Sequence, residues 1–247
     1  MAPVLPPHQT AGLQEAAPPR TLDRREGPYG EVVLRQRGGT DEPSGAPAVY
    51  EIIANGCFLM DTSDGRSERL LMDAALAELP AGRERPAVLI GGLGVGFSLA
   101  RAAAEPRWGR IAVVEREEAV IDWHRSGPLS AVSAGALADP RTEIVHTDLV
   151  AHLRAPGDGR YDALCLDIDN GPDWTVTDDN CGLYSPAGLA ACHRALTPGG
   201  VLAVWSAQPS SAFEQALRIA GFHGVRTEEI PVARGVPDVV HLACKGA

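Results

Sequence analysis

The chain has 247 residues, 45% of them hydrophobic, and a formal charge of −10. That length suits one substantial domain with a small appendage, and the apolar content is too high for a disordered chain. An acidic surface repels nucleic-acid backbones and anionic lipid, no apolar run reaches the roughly 20 residues of a membrane span, and the N-terminus lacks a secretory pattern, so a cytoplasmic protein with no nucleic-acid or membrane partner is expected.

Residues 1–28, rich in Pro, Ala and charge, show no sustained periodicity and read as a disordered tail. Residues 29–66 read as a small antiparallel β unit: strands over 31–37 and 48–60, a loop over 38–47, and Asn55-Gly56 between two apolar runs as a hairpin turn. Residues 67–247 read as a Rossmann-like domain. Ser67 is expected to cap a helix over 68–79, with Leu71, Ala75 and Leu79 on its apolar face. Strands follow over 87–90, 111–114, 142–146 and 163–168, with an Ala-rich helix after the first and a helix over 117–125 after the second. Ser185-Pro186 opens a helix that reaches Leu196 and stops at Pro198-Gly199-Gly200. A strand over 201–205, a helix over 211–220 and strands over 225–232 and 239–243 complete the chain. Continuous apolar strands between helices imply a mostly parallel sheet covered on both faces, hence an α/β fold. The five cysteines have no close C-x-x-C spacing and read as reduced thiols. His146, His152 and His193 are scattered and read as surface or structural residues rather than catalytic ones.

The segment Ile90-Gly91-Gly92-Leu93-Gly94-Val95-Gly96-Phe97 carries an apolar strand into a glycine-rich turn and then a helix. Phe97 breaks the dinucleotide spacing G-x-G-x-x-G, and no Lys-Ser/Thr pair follows to cradle phosphate. The spacing G-x-G-x-G at 92, 94 and 96 fits a site for S-adenosylmethionine; the competing reading is a tight strand–helix connection. Glu115, ending the second strand about twenty residues on, is placed to accept from ribose hydroxyls. Asp148, ending the third, is placed to accept from an adenine amino group. The fourth strand delivers Asp167, Asp169 and Asn170. If it stays extended, the two carboxylates share a side, where they would hold an amine or act as a general base. No third and fourth ligand accompanies them, so no metal is expected. The polar stretch 173–184, with Trp174 and Tyr184, reads as a substrate lid or an exposed connection.

These stretches resemble the spermidine synthase (polyamine aminopropyltransferase) family, a branch of the class I S-adenosylmethionine-dependent transferase fold. The resemblance runs from about residue 31 to the C-terminus. It rests on Asn55-Gly56 leading to Leu59-Met60-Asp61-Thr62, on IGGLGVGF, VVER, DPRTEIVHTD, LDIDNGP and LTPGGVLAVWS. It implies a mostly parallel seven-stranded sheet with a small N-terminal antiparallel β unit, and a homodimer. It implies S-adenosylmethionine, or its decarboxylated form, against Gly91, Gly92, Gly94, Gly96, Glu115, Arg116, Asp148, Leu149 and Asp167. Asp167 would be the carboxylate near the amine being alkylated, with Asp169 beside it. Asp64, Asn170, Trp174 and Tyr184 would meet the acceptor. The family's glycine turn usually reads GGGDGG, and Gly94 stands where its Asp partners the aminopropyl amine. The segment SDGRSERLLM keeps Asp64 and Glu68 but has no tyrosine. Three readings follow: methyl transfer to a small-molecule nucleophile, aminopropyl transfer that makes a polyamine, or a scaffold that retains the fold without catalysis.

Overall fold

The computed structural model describes residues 18–39, 47–155, 157, 159–168, 170–175, 180–230 and 237–247. The first four strands, β1 (Arg20–Gly27), β2 (Gly30–Arg37), β3 (Val49–Ala54) and β4 (Cys57–Asp61), form an antiparallel sheet in sequential order. Asn55 and Gly56 join β3 to β4 with φ of 51° and 78°, the left-handed pair that a tight hairpin requires. β1 lies inside the segment expected to be a tail, which corrects that reading. Its sequence RTLDRREG offers a single apolar residue, Leu22, and so gives no periodic signal. It is held instead by backbone pairing to β2 and by its charges: Trp123 Nε1 donates to Asp23 Oδ2 at 2.8 Å, and Arg25 Nη1 meets Asp122 Oδ2 at 2.8 Å. A polar edge strand of this kind also discourages pairing with other chains.

The second sheet has seven strands. They are β5 (Ala87–Gly91), β6 (Arg110–Glu115), β7 (Thr142–His146), β8 (Tyr161–Leu166), β9 (Leu196–Ser206), β10 (His223–Ile230) and β11 (Asp238–Cys244), in the order β10-β11-β9-β8-β5-β6-β7. β7, β6, β5, β8 and β9 run parallel, and β11 runs antiparallel to both of its neighbours. The α/β class and the seven-stranded, mostly parallel sheet with its small antiparallel companion are therefore as expected. β8 is buried along its whole length, which is why residues 163–166 are continuously apolar rather than alternating; the one acid in the strand, Asp162, accepts from Ala87 N and Thr197 Oγ1, each at 2.8 Å.

Helices α1 (Arg66–Glu78), α2 (Phe97–Ala104) and α3 (Glu118–Arg125) cover one face, and their apolar residues share a core with Val32, Leu34 and Ile52 of the first sheet. Helices α4 (Leu149–Arg154), α6 (Pro186–Ala195) and α7 (Ser211–Ile219) cover the other face, with the short α5 (Cys181–Tyr184) leading into α6. None of the described helices is long and apolar enough to cross a membrane.

Four local expectations change. Helix α1 starts at Arg66 behind Gly65, so Ser67 lies within it rather than capping it, and its hydroxyl donates to Asp238 Oδ2 at 2.8 Å. Strand β8 ends at Leu166, two residues short of the expected end, so Asp167 lies in the loop beyond it and the same-side argument for Asp167 and Asp169 loses its premise. Asp169 itself lies outside the described residues. Pro198-Gly199-Gly200, read as a helix stop, lies within β9, where a register shift against β8 absorbs it. Helices α4 and α5 had no periodic signal because they are only 6 and 4 residues long. Ser185 caps α6 as expected, accepting from Gly188 N at 3.2 Å.

The chain leaves β5 outward to β6 and β7, then returns through α4 to β8 on the other side of β5. That reversal opens a crevice beyond the carboxyl ends of β5, β6 and β8, which is where open α/β sheets take their ligands.

Candidate functional site

The glycine turn forms the floor of this crevice. Gly92 N donates to Val114 O at 2.9 Å and Asp167 N to Gly91 O at 3.1 Å, tying the turn to both neighbouring strands. Gly92 has φ +90°, and a Cβ there would sit 2.8 Å from the Asp167 carbonyl oxygen. The close approach of two backbones therefore demands glycine. At Gly94, with φ +50°, a Cβ would fall on the sulfur of Met60, which reaches over from β4 and accepts from Val95 N at 3.3 Å.

Glu115 closes one side. It is only 8% exposed, and its two oxygens accept from different backbone amides, Oε2 from Leu93 N at 2.9 Å and Oε1 from Glu117 N at 2.8 Å. The carboxylate thus clamps the glycine turn to the end of β6. Each of its oxygens still has a lone pair for a further donor. Asp148 caps α4, its Oδ1 accepting from Ala151 N at 2.8 Å. Arg116 lies over the ring of Tyr29, 4.6 Å from its centroid, and its Nε is 3.6 Å from Glu117 Oε1. Burial raises Glu117 above the usual carboxylate range, against the pull of Arg116.

A cleft of about 760 Å³ stands on this floor. Of the residues expected at the site, Gly92, Gly94, Glu115, Arg116, Asp148, Leu149, Asp167, Asn170 and Asp64 line it. Four do not. Gly91 is buried within β5, where a Cβ would strike Leu149, and Gly96 is packed against His124. Trp174 is 67% exposed and stands outside the wall. Tyr184 stacks edge-on against Phe213, 5.7 Å between centroids, on the far face of the sheet.

The opposite wall comes from the first sheet and α1. Val32, Ile52, Phe58, Leu59 and Met60 make it apolar near the glycine turn. Asp61, Asp64 and Glu68 make it acidic further along, and Trp205, Ile230 and Asp238 close the third side. Burial works to raise Asp61, but hydrogen bonds from Ser63 and Arg37 outweigh it and hold the carboxyl low. Arg66 holds Asp64 low through a direct bond. Glu68 moves the other way: burial, reinforced by Asp64 and Asp238, pushes it up to about 7 against its own backbone N–H and Arg69. Sequence reasoning did not place Met60, Trp205 or Asp238 at the site. Their signal is tertiary, since each comes from an element remote from the glycine turn. Among the described residues no cluster of three or more His, Cys, Asp or Glu is arranged to hold a metal.

No protein-family model matches the chain. It is similar to the polyamine aminopropyltransferase of Mycobacterium tuberculosis, 28% identical over 205 residues, covering 82% of this chain and 36% of that protein. It is also similar to a putrescine N-methyltransferase of Nicotiana tabacum, 33% identical over 115 residues, covering 47% of this chain and 28% of that one. The chain thus spans about a third of the length of these curated relatives. Among solved structures, a spermidine synthase in complex with the transition-state analogue AdoDATO superposes with a TM-score of 0.71 at 18% identity, covering 92% of this chain and 74% of that one. The fold is therefore that of spermidine synthase.

Proposed function

We propose that the chain is an S-adenosylmethionine-dependent transferase that moves a methyl group to a small-molecule amine. The observation that carries this reading is the convergence on one cleft of Gly92, Glu115, Asp148 and Asp167, each at or just beyond the carboxyl end of a different parallel strand. The residues suit such a nucleoside. The backbone at Gly92 is bare, Glu115 retains lone pairs for a ribose diol, and Leu149, Val114 and Val120 supply apolar surface for a base. The turn itself carries no Lys or Ser/Thr suited to a phosphate.

S-adenosylmethionine, when bound, supplies an electrophilic methyl carbon on a sulfonium. The protein's part is placement. Glu115 fixes the ribose end, the apolar wall around Met60 excludes water, and Asp167 orients the acceptor nitrogen for displacement; holding both partners in line removes much of the entropic barrier. Asp61 and Asp64, both held ionised at neutral pH, favour a cationic acceptor.

Aminopropyl transfer is the second reading, favoured by the name of the Mycobacterium tuberculosis relative. Against it stands position 94, where the family's acid is missing and Met60 fills the space a side chain would need. Calorimetry with S-adenosylmethionine and with its decarboxylated form tests the choice. The methyl-transfer reading expects binding of the carboxylated donor and a methylated amine by mass spectrometry. Binding of the decarboxylated donor alone overturns it. An unchanged melting temperature with either nucleoside favours the scaffold.

A further inference from the structure

Resting on the transferase reading above, we infer that Glu68 is the group that takes the proton from the acceptor amine, so that α1 contributes a catalytic residue alongside the strand ends. Glu68 lies in the first turn of α1 and lines the same cleft as Asp167. Its helix turn is tied down: Ser67 Oγ donates to Asp238 Oδ2 at 2.8 Å, pinning the start of α1 to the start of β11.

The groups facing Glu68 set its chemistry. Asp64, in the loop before α1, is paired to Arg66 at 2.6 Å. Arg69 lies 5.0 Å from the centroid of the Phe97 ring. Asp238 faces it from β11, while Asp61 from β4 and Asp167 from beyond β8 line the same cleft. From β9 comes Trp205, whose Nε1–H is buried with no partner among the described residues, and from the end of β10 comes Ile230. Among the described residues no cation forms a salt bridge to Glu68. The helix N-terminus favours the ionised form. Burial and the neighbouring acids win, and the carboxyl is poised at about 7. A group poised there takes and releases a proton at neutral pH, whereas Asp61 and Asp64, held low, stay charged and attract the substrate.

The step balances without another reagent. A primary alkylammonium gives one proton to the Glu68 carboxylate. The freed lone pair on nitrogen forms the new C–N bond at the sulfonium methyl carbon as the C–S bond breaks, and that bond's electron pair stays on sulfur as a thioether. The product leaves as a secondary ammonium, and the Glu68 carboxyl returns its proton to solvent.

The test uses the full chain, S-adenosylmethionine and primary alkylamines including putrescine as probes. The kcat of the parent should rise with pH through about 7, and Glu68→Gln should lower kcat by roughly 100-fold and erase that limb. Calorimetric affinity for S-adenosylmethionine should stay within about threefold, because the groups assigned to the nucleoside, Gly92, Glu115 and Asp148, come from the ends of the parallel strands and not from α1. A Glu68→Gln enzyme that keeps the limb, however slow, overturns the inference. Carbon-13 NMR of labelled glutamate gives a second readout: a carboxyl titrating near neutrality should vanish in Glu68→Gln, and a Glu68 resonance titrating like an ordinary glutamate overturns the inference without any turnover. Donor binding with no methylated product from any probe sinks the methyl-transfer reading itself.

Discussion

Glu115→Gln tests the clamp and the nucleoside site together. The carboxylate accepts two backbone hydrogen bonds while buried, from Leu93 N at 2.9 Å and Glu117 N at 2.8 Å. A glutamine keeps one acceptor oxygen and turns its NH₂ toward the other amide. One charge-assisted bond is lost, worth about 1.5–3 kcal/mol, and one buried N–H is left facing a donor. The expected destabilisation is about 2–4 kcal/mol, which for a chain of this size lowers Tm by about 5–15 °C. The same substitution removes an acceptor for a ribose diol, a further loss of about 2–4 kcal/mol in donor binding, or roughly 30- to 1000-fold in Kd. Scanning calorimetry of the unliganded chain and titration with S-adenosylmethionine separate the two effects. A variant that melts with the parent and binds the donor within about threefold would refute both the clamp and the ribose assignment.

Gly94→Asp should destabilise by about 1–3 kcal/mol, because a Cβ at φ +50° falls on the Met60 sulfur. Adding Met60→Ala should return part of that loss, and strictly additive effects in the melting cycle would contradict the contact. Trp174→Ala should leave stability within about 0.5 kcal/mol and donor affinity unchanged, since the ring is 67% exposed outside the cleft; a large loss of affinity would place it in the site after all. Glu68 carries a stability signature of its own. Its folded pKa of about 7 lies above the 4.5 of an unperturbed glutamate, so between those values the native state binds the extra proton and stability falls as pH rises. Glu68→Gln lacks this loss, so its Tm relative to the parent should climb from pH 4.5 to pH 7 in a thermal-shift series. A constant difference across that window would contradict the raised value.

What the sequence shows and what it hides follow from the range of the interactions. The bare turn at Gly92 and the acid at Glu115 are legible because strand, turn and strand end are consecutive, and the ligand chemistry of such a unit is local. Asp148 is legible as a strand-end acid, though its use as the cap of α4 is seen only in three dimensions. The acidic wall is hidden. Ser67 meets Asp238 across 171 positions, and Met60 reaches Val95 across 35, so no pattern along the chain joins them. Strand β1 is hidden for a different reason: its stability lies in backbone pairing and in Asp23 and Arg25, and a strand with one apolar side chain has no alternation to read. The same-side placement of Asp167 and Asp169 requires an extended strand through residue 168, whereas β8 ends at Leu166, and Asp167 still donates its backbone N–H to Gly91 O at 3.1 Å.

The most direct measurement is a crystal structure of the chain soaked with S-adenosylhomocysteine. The nucleoside should lie in the cleft between the two sheets, with both ribose hydroxyls on the Glu115 carboxylate, the adenine near Asp148, and the sulfur above Gly92 on the side facing Asp167. Density for the nucleoside elsewhere, or an empty cleft at saturating concentration with Glu115 still bound only to Leu93 and Glu117, would contradict the account.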